Sequence, residues 1–175
     1  MTTQLADRRG TASEVRAEDF RHVMGHVPTG VAVVTAMTRS GPVGLTVGTL
    51  TSVSLDPPLV GFLPARSSTT WPLIAPIGRF CVNVLSEDDG ELCGKFARSG
   101  ADKFEGVAWH ASESGAPALD DALAWIDCTH EHIYPAGDHV IVLGRVQRMS
   151  VRAEGRPLVF CNGRFQRLAA SEAVA

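Results

Sequence analysis

The chain has 175 residues, of which 45% are apolar, and its formal net charge is −3 at pH 7. This length suits one domain with a buried core and is short for two. Nucleic-acid binding needs a concentrated basic surface, whereas the basic residues of this chain are spread along its length. No apolar run approaches the roughly 20 residues that span a bilayer, and we therefore expect neither a nucleic-acid partner nor a membrane partner.

Both ends of the chain are rich in small and charged residues. Residues 1–16 contain acids and arginines but no apolar stretch of the kind found in a signal peptide. We predict a disordered arm over 1–16, one domain over 17–168 and a flexible tail over 169–175. The four cysteines are far apart without a C-x-x-C pair, which favours buried free thiols and a cytoplasmic location over a zinc or redox site.

The first elements can be placed from the spacing of apolar residues. Over 17–27 the apolar positions recur at i, i+3, i+4 and i+7, which predicts an amphipathic helix that ends at Pro28. The Val- and Ala-rich run 30–37 predicts a buried strand. The turn signal Gly41-Pro42 follows it, and a hairpin with the next segment is expected.

Further elements are predicted in the middle of the chain. Residues 58–63 and 79–85 have the composition of strands, and 71–75 is expected to form a short helix between them. Ser86 is a candidate N-cap for another helix.

The last third predicts a long hairpin, with strands over 125–133 and 139–146 joined by a turn over 134–138. The second strand is apolar on both faces, and we expect it to be central and covered on both sides. Residues 157–160 and 164–168 are candidate closing strands. Many short strands with few helices favour an antiparallel, mainly β fold, a β-barrel with peripheral helices, because closure removes exposed strand edges.

Residues 44–60 form a polar interruption between two strand-like stretches and end at Pro57-Pro58. Glycine allows a ligand to approach the backbone closely. Five small hydroxyl side chains also fall within nine residues: Thr46, Thr49, Thr51, Ser52 and Ser54. Two interpretations follow, a ligand-binding cradle or a polar edge strand that enters a Pro-Pro turn.

Two shorter motifs allow a binding role beside a structural one. Residues 66–70 combine an arginine with four hydroxyl side chains before a predicted helix, which suits either an anion site or a capped loop. In Gly137-Asp-His139 a tight turn ends in an imidazole at the mouth of a strand. Such a residue can contact a ligand, although Gly-Asp is also an ordinary turn sequence.

Other chemistries find little support in the sequence. His130 and His132 would share one face of a strand and could bind a metal, but no further ligand lies at a suitable spacing, and a polar strand face is the better interpretation. The chain contains no G-x-G-x-x-G, no P-loop and no G-x-S-x-G motif. We predict no metal site and no doubly wound dinucleotide fold.

The order of these segments resembles the short-chain flavin reductases, the reductase components of two-component flavin-dependent monooxygenases. The resemblance covers about residues 18–168. It is carried by Phe20-Arg-x-x-Met24-Gly, Pro28-Thr-Gly-Val31, Val34-Thr35, Gly44-x-Thr46, Thr51-Ser-Val-Ser-Leu-Asp-Pro-Pro58, Phe80-x-Val-Asn-Val84-Leu, Asp102-Lys-Phe104 and Gly137-Asp-His139.

This resemblance implies an antiparallel FMN-binding split barrel that forms a homodimer. It also implies an NAD(P)H:flavin oxidoreductase that transfers hydride from NADH, or less favourably NADPH, to FMN or FAD and supplies reduced flavin to a monooxygenase. The cofactors supply the reactivity, so the protein needs residues that position them rather than a catalytic acid or base. The alternative is a non-catalytic flavin- or haem-binding module on the same fold.

The resemblance also implies which residues bind the cofactors. The flavin ring and ribityl chain are assigned to residues 46–53, the flavin phosphate to 67–69 with Lys103 and Phe104, and the nicotinamide to His139. Many relatives have Asn at the position of Gly48, and some have Tyr at that of Phe165. The full set of expected cofactor-binding residues is Thr29, Thr46, Val47, Gly48, Thr49, Leu50, Thr51, Ser52, Val53, Ser67, Ser68, Thr69, Lys103, Phe104, His139 and Phe165.

Overall fold

The computed structural model describes residues 15–100, 102–152 and 154–169. Almost all of the terminal segments predicted as arm and tail lie outside these residues, and the predicted domain bounds stay predictions. Within the described part of the chain, no helix combines the length and the apolar character needed to cross a membrane.

Antiparallel strands make up most of the fold, as predicted. The helices are α1 (Ala17–Gly25), α2 (Trp71–Ile74, continued by a 3-10 turn over Ala75–Ile77) and α3 (Gly90–Ala97). The strands are β1 (Thr29–Gly30), β2 (Ala32–Thr38), β3 (Gly41–Val47), β4 (Thr51–Leu55), β5 (Pro58–Phe62), β6 (Arg79–Val84), β7 (Trp109–Ala111), β8 (Pro117–Leu119), β9 (Ala124–Ala136), β10 (His139–Val151), β11 (Val159–Cys161) and β12 (Arg164–Gln166).

Seven strands form the main sheet, in the order β3-β2-β6-β9-β10-β5-β4. Among the described residues its two edge strands, β3 and β4, do not pair with each other, although a short turn joins them in sequence. The predicted closing strands near the C-terminus do not join this sheet, because β11 pairs with β1 on one side and with β12 on the other in a separate sheet. A small hairpin of β7 and β8, which the sequence did not predict, completes the architecture.

The main sheet is covered on both faces along β2. Val34 packs into one buried cluster, which includes Phe62 and Phe80, and Val33 packs into a second cluster with Phe96. Successive side chains of a strand point to opposite faces, and so the continuous apolar run of β2 reflects burial on both sides. In the first cluster the rings of Phe62 and Phe80 meet edge to face with centroids 5.4 Å apart, an arrangement that aromatic pairs favour.

The structure corrects two expectations about individual elements. Strand β10 is central, between β9 and β5, but its two faces differ: Val142 is fully buried while Ile141 and Leu143 are only half-buried. Within the part of the chain that the structure describes, covering elements therefore pack on one face only. Helix α3 begins at Gly90 rather than directly after Ser86, because a turn intervenes in which the Asp89 carboxylate accepts a hydrogen bond of 2.7 Å from the Ser86 N–H.

Gly144 lies on β10 where the ring of Phe80 crosses the strand. A Cβ atom at Gly144 would lie 2.5 Å from Cζ of Phe80, which is fully buried. We expect Gly144→Ala to lower the free energy of unfolding by about 1–3 kcal/mol, the usual cost of overpacking a core. Urea denaturation followed by fluorescence measures this change.

Gly94→Ala is the matched control, because nothing lies within 4 Å of a Cβ at that helical position. We expect this variant to be more stable by about 0.5–1 kcal/mol, since alanine favours a helix over glycine. Equal unfolding free energies for the two variants would contradict the packing explanation.

Candidate functional site

A cleft of about 360 Å³ lies beside the C-terminal end of β3, and we call it the edge cleft. Its walls come from the end of β3 and the following turn, the loop after β5, the C-terminal end of α3, and the start of β10. None of the described residues that line it is acidic. The lining residues are Leu45, Thr46, Val47, Gly48, Thr49, Leu63, Pro64, Ala65, Ser67, Ser68, Thr69, Thr70, Phe96, Ala97, Arg98, Ser99, Lys103 and His139.

The edge cleft brings together residues that are distant in sequence and that the resemblance assigned to one cofactor site. These are Thr46, Val47, Gly48, Thr49, Ser67, Ser68, Thr69, Lys103 and His139. The other assigned residues do not line this cleft: Thr29, Leu50, Thr51, Ser52, Val53, Phe104 and Phe165.

Residues of this second group occupy several different places. Thr29 lies directly behind the cleft wall, because its Oγ1 would be 3.2 Å from a Cβ placed at Gly48. The ring of Phe104 packs edge to face on Phe96, with centroids 5.0 Å apart. Phe165 packs on Phe160 at a centroid distance of 5.7 Å. Residues 51–53 belong to the exposed edge strand β4.

Several hydroxyl groups at the cleft hold its walls together. The Thr46 hydroxyl donates a 2.9 Å hydrogen bond to the Cys93 carbonyl and so ties β3 to α3. The Thr49 hydroxyl accepts a 2.8 Å bond from the Leu63 N–H and ties the turn to the loop after β5. Residues 44–60 thus include an edge strand and also contribute residues 45–49 to a cleft, and their role as a ligand-binding cradle stays a prediction.

The loop after β5 leaves other hydroxyl groups available to a ligand. The Ser68 hydroxyl accepts hydrogen bonds from the N–H groups of Thr70 and Trp71 at 3.3 and 3.1 Å, which satisfies backbone donors at the start of α2. The exposed hydroxyl groups of Ser67 and Thr69 make no hydrogen bond with any described residue. A ligand at the edge cleft can therefore use both.

His139 is held beside the loop after β5 by backbone and side-chain contacts. Its Nδ1 lies 2.7 Å from the Asp138 carboxylate, and this hydrogen bond holds the pKa of Asp138 below its usual value. The Asp138 carbonyl accepts a 2.8 Å bond from the Arg66 N–H, and Ala65 forms a β-bridge with His139. The hairpin turn and the hydroxyl-rich loop are therefore fixed to one another, with Nε2 of His139 left for a ligand.

Lys103 forms the floor of the cleft and is 92% buried, with only 8% of its surface exposed. Its ammonium group donates three hydrogen bonds: to the Gly44 carbonyl at 3.0 Å, the Thr70 hydroxyl at 3.1 Å and the Phe96 carbonyl at 3.1 Å. Burial lowers the pKa of this group. All three ammonium donors are used within the protein, so Lys103 contributes positive charge to the cleft rather than a free donor for phosphate.

Several residues in the cleft wall could not be identified from the sequence. Arg98 and Ser99 follow α3 directly, and both are exposed beside the cleft. The Thr70 hydroxyl accepts a hydrogen bond from Lys103, but in the sequence Thr70 does not differ from the neighbouring hydroxyl residues 67–69. A lone arginine after a helix carries no local signal, because its role depends on where the helix ends relative to β3.

Replacement of Lys103 tests its structural role. We expect Lys103→Met to lower the free energy of unfolding by about 1–3 kcal/mol, because it leaves buried acceptors of β3, α2 and α3 without a donor. Chemical denaturation monitored by circular dichroism gives the value.

Lys95→Met is the control, because it also removes one positive charge, at a position on α3. Its ammonium group bonds the Glu105 carbonyl at the surface, and we expect a loss of less than about 0.5 kcal/mol. If both variants lost equal stability, general charge rather than the three hydrogen bonds of Lys103 would be responsible.

The structure places His130 and His132 on opposite faces of β9. A β-bulge inserts Glu131 between them, since His130 pairs with Gly144 and His132 with the adjacent Leu143. His130 consequently packs on the buried ring of Phe80 at a centroid distance of 5.1 Å, and His132 does not share that face. The alternative of one metal ion between the two imidazoles is therefore wrong.

The burial of His130 makes stability depend on pH. Its Nε2 is buried without a hydrogen-bond partner among the described residues, and burial lowers its pKa. As pH falls below the unfolded-state pKa, the unfolded chain takes up a proton more readily than the folded protein does, and stability decreases.

The variant His130→Phe cannot take up this proton. We therefore expect the free energy of unfolding to fall more between pH 7 and pH 5 in wild-type protein than in His130→Phe. Urea titrations at the two pH values measure both losses. An identical loss in the two proteins would show that His130 is not a source of the pH dependence.

Comparison with known proteins connects this geometry to a family. Residues 24–169 match the family model of the flavin reductase like domain. A flavin reductase of Pseudomonas putida is 46% identical over 90% of this chain and 94% of its own length. The reductase subunit HsaB of a flavin-dependent monooxygenase from Rhodococcus jostii is 38% identical over 94% of this chain and 85% of its own length.

A solved structure has the same fold. The NADH:FAD oxidoreductase SgcE6 of Streptomyces globisporus, in complex with NAD and FAD fragments, superposes with a TM-score of 0.82. It is 36% identical to this chain, and the match covers 87% of this chain and 92% of the SgcE6 chain.

Proposed function

This chain belongs to the family of flavin reductase like domains, and we propose that it is an NAD(P)H-dependent flavin reductase that uses NADH to reduce FMN or FAD and supplies reduced flavin to a partner monooxygenase. The edge cleft carries this proposal. It gathers glycine, hydroxyl and cationic residues from separate segments and contains no acid. A cytoplasmic location is part of the proposal, since three of its four free cysteines are buried thiols suited to a reducing compartment.

The residues of the edge cleft fit a flavin nucleotide. The positive charges of Arg98 and Lys103, unopposed by any acid in the lining, favour a phosphate group. Gly48 lines the cleft without a side chain, and the turn packs closely on Thr29, whose Oγ1 would lie 3.2 Å from a Cβ at Gly48. A planar ring can thus approach the turn after β3 while its phosphate lies towards the loop after β5.

Flavin and nicotinamide supply the hydride chemistry when they are bound, and the protein positions them. The turn at 47–49 offers backbone groups to the flavin ring. Ser67 and Thr69 offer free hydroxyl groups to the phosphate, and the Arg98 guanidinium attracts its negative charge. His139, fixed by Asp138 and Ala65, is placed to contact the nicotinamide.

Steady-state oxidation of NADH tests the function directly. Purified protein is mixed with FMN or FAD and with NADH or NADPH, and the absorbance of the reduced nicotinamide is followed. We expect turnover with NADH and flavin. Flavin binding without turnover under any combination would instead support the non-catalytic module and would reject the reductase proposal.

His139→Ala separates nicotinamide use from flavin binding. We expect the KM for NADH to rise by roughly 5- to 150-fold, equivalent to about 1–3 kcal/mol for a lost polar contact. The Kd for flavin, measured by fluorescence quenching, should change less than about twofold because flavin contacts lie mainly on the other walls. A large loss of flavin affinity with an unchanged KM for NADH would reverse this assignment.

We also propose that the protein is a homodimer, with a second copy covering the outer face of the main sheet. The strand register places Thr51, Tyr134, Ile141 and Leu143 on one face around Gly61. This face is largely apolar, with His132 beside Leu143, and it is incompletely covered: Tyr134 is 47% exposed. Apolar surface of this kind is typical of subunit interfaces. A dimer through this face would place residues 51–53 at the subunit boundary.

Light scattering tests the dimer. We expect wild-type protein to have twice the monomer mass at micromolar concentration, and Leu143→Asp to shift the protein to monomer because it places a charge in the apolar interface. Leu168→Asp, on another surface where Leu168 is 46% exposed, should leave the mass unchanged. A fully active wild-type monomer would contradict this proposal.

A further inference from the structure

A second cleft, of about 530 Å³, begins where the edge cleft ends, and we call it the side cleft. We propose that it binds the adenylate half of a flavin dinucleotide, and that this chain selects FAD over FMN. This inference rests on the proposed flavin reduction in the edge cleft. It assigns a binding site to the part of the flavin substrate that lies beyond the flavin phosphate.

The two clefts are neighbours. Thr70 and Lys103 line both of them, and the loop after α3 passes from one to the other, with Ser99 in the edge cleft and Gly100 in the side cleft. Ser67, whose free hydroxyl suits the flavin phosphate, lies three residues before Thr70. A group attached to that phosphate can therefore continue past Thr70 into the side cleft.

The charges of the residues that line the two clefts favour a ligand whose phosphate groups pass from the edge cleft to the side cleft. Arg98 stands in the edge cleft, Lys103 at the boundary and Arg39 in the side cleft, and no acid is among the described residues that line either cleft. The Lys103 donors are used within the protein, so this residue provides its charge, whereas the exposed Arg39 and Arg98 can contact phosphate oxygens.

The cleft on the other side of α3 offers a contrast. It has a volume of about 780 Å³ and also includes Arg98. Four acidic residues line it, however: Asp88, Asp89, Glu91 and Asp121. These carboxylates repel phosphate, and so the side cleft is electrostatically the more suitable of the two as an extension of the edge cleft.

The shape and chemistry of the side cleft suit an adenosine. Pro42, Pro76 and the 53% exposed Leu73 provide apolar surface against which a flat base can pack. The Arg39 guanidinium can stack on the base. The Ser40 side chain adds a hydroxyl group for the ribose.

A nicotinamide cofactor also carries an adenylate, but the flavin is the better source. His139, the proposed nicotinamide contact, lines the edge cleft beside Ala65 and does not line the side cleft. The boundary residue Thr70 instead adjoins the loop assigned to the flavin phosphate.

Leu73→Glu tests the proposal by placing a carboxylate in the side cleft. In wild-type protein we expect FAD to bind about tenfold tighter than FMN, as measured by fluorescence quenching. In Leu73→Glu the Kd for FAD should rise about tenfold while that for FMN changes less than about twofold. AMP should compete with FAD, but not with FMN, in wild-type protein.

Gly94→Glu is the matched control, because it adds the same charge on the far side of α3 at a position with no atom within 4 Å of a Cβ. We expect it to leave both flavin affinities unchanged. Arg39→Ala, at an exposed side chain, is a second variant and should weaken FAD binding selectively. NADH-dependent turnover of FMN by each variant shows that it is folded.

Three results would overturn the proposal: equal affinities of wild-type protein for FAD and FMN, equal weakening of both flavins by Leu73→Glu, or a changed KM for NADH with flavin affinities unaltered. The last result would assign the side cleft to the nicotinamide cofactor. Each of them is compatible with intact FMN turnover, whereas failure of the proposed function would abolish turnover with every flavin.

Discussion

The geometry of the edge cleft depends on one buried ammonium group. Lys103 donates hydrogen bonds to β3, to the residue that precedes α2 and to the C-terminal part of α3, three segments that pack around the cleft. Removal of an ammonium group from water is costly unless all its donors are satisfied. Here the three protein acceptors offset that cost. The same group leaves a positive charge beneath a cleft that contains no acid, so one interaction both fixes the walls and favours a phosphate ligand.

The hydroxyl groups around this cation divide into two functions. Those of Thr46, Thr49 and Ser68 satisfy backbone groups and hold neighbouring segments together. Those of Ser67 and Thr69 are exposed and remain available for a ligand. This division makes a rigid site, because residues that contact the ligand are supported by others that do not move with it. A reaction that depends on the relative placement of two cofactors benefits from such rigidity.

The incomplete main sheet explains where the binding surfaces lie. Strands β3 and β4 are the two edges, and the turn between them contributes Gly48 and Thr49 to the cleft. The same sheet exposes an apolar outer face that needs a partner. The proposed phosphate site and the proposed subunit interface thus lie on different surfaces of one sheet, and the hydroxyl-rich segment 44–60 reaches both through β3 and β4.

The sequence by itself determined the mainly β fold, most of the strands and the family, because apolar periodicity, turn residues and motif order are local signals. It also indicated Thr46, Ser67 and His139 as neighbours through the resemblance. Only the tertiary structure decided that Lys103 is saturated by protein acceptors, that Arg98 faces the cleft and that a bulge separates His130 from His132. Each of these depends on the distance between segments far apart in the chain, or on a one-residue shift in strand register, and neither leaves a pattern in the local sequence.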